Sequence, residues 1–245
     1  MPTVLACHGF TGCGADFGPL AAALPADHRL IAPDFPGHGA RGGIREPSGY
    51  SLAAHLQTLD DAVRDVAEPV TILGYSMGGR IALHWALANP GRFRQLILVG
   101  ASPGLGTEAE RAERGYADDA VARYLRQQGL AAFYKYWHNQ PFFRTLFTLP
   151  SAQLDPILAR RHANDPEGLA LSLEHVGTGR LPSLWDRLGE LTGPVDLVTG
   201  EHDPKFTEIA RRMGERIPRA RLSVVEGCGH AVHLERPSDL ALTLR

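Results

Sequence analysis

Val70-Thr71-Ile72-Leu73-Gly74-Tyr75-Ser76-Met77-Gly78-Gly79-Arg80-Ile81-Ala82-Leu83 is the stretch on which the reading of this chain turns. Val70 to Leu73 is a short apolar run of the kind buried inside a parallel sheet, and from Met77 to Asn89 apolar residues recur at helical spacing. Between them stands Gly-x-Ser-x-Gly, a turn so sharp that side chains at 74 and 78 would strike neighbouring backbone. Ser76 is therefore expected at the positive end of a helix, its hydroxyl exposed and any developing oxyanion favoured. A glycine- and serine-rich turn without chemistry would not need this strand-turn-helix context. Arg80 follows one helical turn later, a cation that simple ester hydrolysis does not require.

Working outward, further strands are expected from Thr3 to Cys7, Arg29 to Ala32, Gln95 to Val99, Val195 to Thr199 and Arg221 to Val225. Helices are expected near Phe17 to Leu24, Ser51 to Val66, Thr207 to Ile217 and Ser238 to Leu244. This alternation implies right-handed crossovers, hence an α/β class with a mostly parallel sheet covered on both faces. From about Gly104 to Leu191 no strand pattern appears, only helical stretches punctuated by Pro141, Pro150, Pro156, Pro166 and Pro182. That interval reads as several short helices inserted as a cap (104–191) into a core made of 1–103 and 192–245, lying over the carboxyl ends of the strands.

A Ser-Asp-His order is expected along the chain. Asp203, in GEHDPKF after the fifth strand, and His230, in EGCGHAVHLERP after the sixth, meet that order. Glu201 and His202 compete for the acid–base positions, Glu201 standing too close to the strand end, and His233, one turn past the Gly-His step, reads as structural. The turn after the first strand, HGFTGCGADF, offers the Phe10 amide as an oxyanion donor beside the Met77 amide, each worth roughly 3 kcal/mol in rate against a real oxyanion. His8 in that turn reads as a loop-shaping residue rather than a base.

Composition narrows the function further. The 245 residues are 44% hydrophobic and 21% charged, with a net charge of −2, so a full core can form. No basic stripe suggests nucleic acid, and no apolar run is long enough for membrane insertion. Three cysteines, Cys7, Cys13 and Cys228, without C-x-x-C spacing argue for a reducing, cytoplasmic setting and against a zinc site. No metal and no organic cofactor are expected, and a monomer or weak homo-oligomer acting on a small molecule is the implied state.

HGF (8–10), DFPGHG (34–39), GYSMGG (74–79), GEHD (200–203) and GCGH (227–230) together resemble the α/β-hydrolase superfamily over nearly the whole chain. Within it, YWHNQPFF (136–143), GLALSLEHVGTGRLPSLW (168–185) and the Lys-Phe after GEHDP resemble the 2-succinyl-6-hydroxy-2,4-cyclohexadiene-1-carboxylate synthases of menaquinone biosynthesis. Cys7, Cys13 and Pro204 depart from that family's pattern. The resemblance implies a substrate with three carboxylates held by guanidinium groups, whose forks match carboxylates. Carried over by motif, it implies substrate contacts at Arg80, Arg114, Arg161, Trp137 and Tyr75, with Arg160 competing almost evenly with Arg161. Charge pattern alone would not single out the cap arginines, since the span from Gly104 to Asp186 holds nine Lys/Arg against ten Asp/Glu.

The implied reaction is pyruvate elimination, with Ser76 taking a ring proton rather than attacking a carbonyl. The alternative is a carboxylesterase or thioesterase working through an acyl-enzyme.

Overall fold

The computed structural model describes residues 1–244. Six strands, β1 (Thr3–Cys7), β2 (Arg29–Ile31), β3 (Val70–Tyr75), β4 (Phe93–Val99), β5 (Val195–Gly200) and β6 (Ala220–Val225), form one sheet in the order β2-β1-β3-β4-β5-β6. Every neighbouring pair is parallel. Because side chains alternate along a strand, the two faces fill separately. Leu5, Ile72, Leu96, Leu98 and Leu197 pack on one side with helices α2 (Leu52–Ala62), α3 (Met77–Ala88) and α7 (Pro204–Gly214). Val4, Ala6, Leu73, Ile97, Val99 and Val198 pack on the other, beneath α1 (Gly18–Ala23), α8 (Val232–Glu235) and α9 (Pro237–Ala241). The chain leaves β1 toward β2 and returns to β3, so the order reverses between β1 and β3. Ligands of open α/β sheets bind at such a point.

Between β4 and β5 lie α4 (Glu108–Trp137), α5 (Ser151–His162) and α6 (Pro166–Val176), joined by short 3-10 turns. The expectation of only short, proline-broken helices fails for α4, because the first proline that could break it is Pro141. Its 30 residues are interrupted instead at Gly129, where φ 73° and ψ 178° suit only a residue without Cβ. A capping box starts α4: the Thr107 hydroxyl accepts from the Glu110 amide at 3.2 Å, and the Glu110 carboxylate accepts from the Thr107 amide at 2.8 Å. Ala122, Leu125 and Phe133 of α4 pack on Leu169, Ala170 and Leu173 of α6.

Several helix boundaries differ from the sequence expectation, and one short helix was not expected. Helix α2 stops at Ala62 rather than Val66, because Val63 already leaves helical geometry. Helix α8, four residues long, is too short for periodicity to reveal. Helix α7 begins at Pro204 rather than Thr207, since proline suits the first helical position and Asp203 caps it.

Candidate active site

Ser76 sits in the turn between β3 and α3 with φ 52° and ψ −110°, a strained conformation for a residue with a side chain. The turn is tight because its glycines permit it. A Cβ on Gly74 would stand 2.5 Å from the Gly79 Cα, and one on Gly78 would stand 2.2 Å from the Cys7 carbonyl oxygen. The Ser76 amide donates to the Val99 carbonyl at 2.9 Å, tying the elbow to β4.

The structure brings Ser76, His230 and Asp203 together. Ser76 Oγ lies 3.2 Å from His230 Nε2, and His230 Nδ1 lies 2.6 Å from Asp203 Oδ2. Asp203 and His230 are almost wholly enclosed, at 2% and 3% exposure, so their contact is shielded from water. Asp203 also caps α7, its Oδ1 accepting from the Phe206 amide at 3.4 Å. Rings crowd the imidazole, with Phe206 at 4.5 Å and Phe142 at 5.2 Å between centroids. The Phe142 carbonyl accepts from the His230 amide at 3.3 Å.

The competing histidines are otherwise engaged. The Phe35 amide donates to His8 Nε2 at 2.9 Å, so the ring proton is on Nδ1, which donates to the Gly9 carbonyl at 2.9 Å. Burial lowers the basicity of His8, keeping it a neutral brace of the loop. His233 is buried in α8 against Tyr75 and Phe17, at 4.2 and 5.0 Å between ring centroids, and burial pushes its pKa down to about 3.

A cavity of about 370 Å³ opens onto Ser76 and His230. Phe10, Tyr75, Met77, Arg80, Arg114 and Trp137 all line it. Arg80 is half-buried, and its Nε is enclosed without a hydrogen-bond partner among the described residues. Burial, and then the nearby Arg114 charge, lower its pKa to about 10, which leaves it a cation at neutral pH. Arg114 Nε donates to Asp118 Oδ1 at 2.8 Å, so part of its charge is already matched.

Arg161 departs from its expected place on the cavity wall. It is not among the lining residues: its guanidinium packs over the Phe143 ring at 5.4 Å, and its Nη1 donates to His138 Nε2 at 3.1 Å. Phe143, itself on the cavity wall, lies under that guanidinium. Its competitor Arg160 points elsewhere, its Nε donating to Asp16 Oδ1 at 2.8 Å. That pair, with the Asn164 amide donating to the Thr11 carbonyl at 2.9 Å, ties α5 and the residues after it to the loop following β1.

Sequence reasoning missed Asp118, Phe142, Phe143, Lys205, Phe206 and Ser172, all on the cavity wall. The i,i+4 spacing of Arg114 and Asp118 was the available signal for the first. The others lie in YWHNQPFF, GLALSLEHVGTGRLPSLW and the Lys-Phe after GEHDP, stretches quoted for the resemblance without a role, and their orientation depends on tertiary packing.

Comparison with known proteins agrees with this geometry. Residues 4–242 match the model of the alpha/beta hydrolase family. A Bacillus subtilis (strain 168) protein, provisionally named a 2-succinyl-6-hydroxy-2,4-cyclohexadiene-1-carboxylate synthase, is 38% identical over 235 residues, covering 96% of this chain and 85% of that one. The synthase of that name from Enterobacter sp. (strain 638) is 31% identical over 244 residues, covering 100% of this chain and 90% of that one. The structure of MenH from S. aureus superposes with a TM-score of 0.93 at 30% identity, covering 99% of this chain and 91% of that one. The chain thus belongs to the α/β-hydrolase family and, within it, to the 2-succinyl-6-hydroxy-2,4-cyclohexadiene-1-carboxylate synthases.

Proposed function

We propose that the protein is a lyase that eliminates pyruvate from 2-succinyl-5-enolpyruvyl-6-hydroxy-3-cyclohexene-1-carboxylate, giving 2-succinyl-6-hydroxy-2,4-cyclohexadiene-1-carboxylate. His230, oriented by Asp203, draws the proton from Ser76, whose oxygen then takes the ring proton next to the succinyl carbonyl. The resulting dienolate is held by the Phe10 and Met77 amides. Its collapse breaks the carbon–oxygen bond to the enolpyruvyl group, which departs as the enol of pyruvate once protonated. Segment 104–191 serves as the cap over this site, and Arg80 and Arg114 hold substrate carboxylates. Arg161 acts from over the Phe143 ring, its charge bearing on Tyr75. A cytoplasmic monomer or weak homo-oligomer is part of the same reading.

One observation carries the proposal: a cation with an unpartnered, enclosed Nε, Arg80, opens onto the cavity that holds Ser76 Oγ. An apolar acyl chain gives no return for burying that charge, whereas a carboxylate does. Coupled detection of pyruvate tests it. The wild type should release pyruvate from the enolpyruvyl substrate and Ser76→Ala should not. Pyruvate release surviving in Ser76→Ala would remove Ser76 from the proton abstraction, and a burst from nitrophenyl esters with no pyruvate formed would overturn the lyase reading in favour of an acyl-enzyme.

A further inference from the structure

Lys205 stands where helix electrostatics disfavours it. Asp203 caps α7, so Lys205 is its second residue, at the positive end of the helix dipole. Among the described residues no carboxylate forms an ion pair with it; its recorded contact is the Phe206 ring, 5.6 Å from Nζ. The carboxylate nearby, Asp203, is committed elsewhere, to His230 at 2.6 Å.

Lys205 also lines two cavities. One is the active-site cavity; the other, adjoining it, is lined by Arg144, Thr145, His202, Asp203 and Pro204 as well. Phe142 and Phe206 belong to both, so this pair of rings beside His230 forms the partition between them. Arg144, a second exposed cation, likewise has no ion pair among the described residues. The charges acting on Arg80 are those of Arg114 and Asp118, at the arginine end of the active-site cavity.

We infer that Lys205 binds the carboxylate of the enolpyruvyl leaving group and that the cationic second cavity is the route by which pyruvate departs. The inference rests on the lyase reading above. A flexible ammonium at the mouth of the second cavity suits a group that is held and then released, whereas the enclosed Arg80 suits the part of the substrate that stays. No covalent step is added: Lys205 supplies charge only.

The test combines steady-state kinetics with ligand-observed NMR of pyruvate, a measurement that needs no turnover. Lys205→Met should raise KM and weaken pyruvate binding about three- to tenfold, the range for a solvent-facing charged contact, with kcat within about twofold. Lys205→Arg should restore both, and Arg80→Met should leave pyruvate binding unchanged. Unchanged pyruvate binding in Lys205→Met, or equal weakening in Arg80→Met, would overturn the assignment. A wild type that forms no pyruvate would sink the lyase reading itself, and the NMR titration would still judge Lys205 separately.

Discussion

Replacing Arg80 with Met should weaken substrate binding and stabilise the free protein at once. The folded chain holds this guanidinium with its pKa lowered to about 10, by burial first and by Arg114 second. A cation with a depressed folded-state pKa costs stability in full wherever both states are protonated, that is below about pH 10, and the cost disappears only above the unfolded value. A depression of about two units corresponds to about 3 kcal/mol, which solvent screening of a half-buried group reduces to about 1–2 kcal/mol. Met fills the same channel without the charge. At neutral pH the variant should therefore melt roughly 3–6 °C higher by calorimetry, given the usual scaling for a chain of this size. Losing a charge-assisted bond of about 1.5–3 kcal/mol should raise KM by roughly ten- to a hundredfold. The bond is made in ground and transition states alike, so kcat should change little. A variant with unchanged KM, or with a lower melting temperature, would show that Arg80 is a structural residue and remove the observation on which the function rests.

Two other perturbations separate overlapping roles. Asp203→Asn keeps the cap of α7 but cannot hold the imidazolium, so kcat should fall by about a thousandfold or more with unfolding nearly unchanged; Asp203→Ala should lose about 1 kcal/mol of stability in addition, read by urea titration. Stability should also fall as pH drops from about 6.5 toward 4, since burial holds His55 and His138 down to about 4 and His233 to about 3. In that window the unfolded chain binds protons that the folded one refuses, so stability decreases with falling pH by up to about 1.4 kcal/mol per pH unit for each such histidine. A urea midpoint flat between pH 6.5 and 4.5 would contradict the burial of these rings, and His233→Phe should flatten part of the slope.

The central strands were legible because each is a short, mostly aliphatic run buried on both faces, which local composition reveals without reference to the rest of the chain. The elbow was legible for a related reason: Gly74 and Gly78 are required by contacts within one strand-turn-helix unit and its neighbouring strand. Boundaries that depend on caps were harder. Pro204 departs from the family's pattern, yet it opens α7 and lets Asp203 serve both helix and imidazole.

The cap shows the other limit. Arg160 and Arg161 are adjacent, about 100° apart around one helix, and composition cannot say which faces the sheet. Packing sends Arg160 to Asp16 and Arg161 to His138 and Phe143, so neither reaches the lining of the cavity. By itself the sequence determined the fold class and the order of the reactive residues, because these follow from short-range periodicity and turn sterics, while the anionic substrate was implied by the family resemblance. Tertiary structure alone decided which cations line the active-site cavity and where a second cavity opens. Those outcomes depend on how α4, α5 and the turn at Pro141–Phe143 settle over strands distant in sequence.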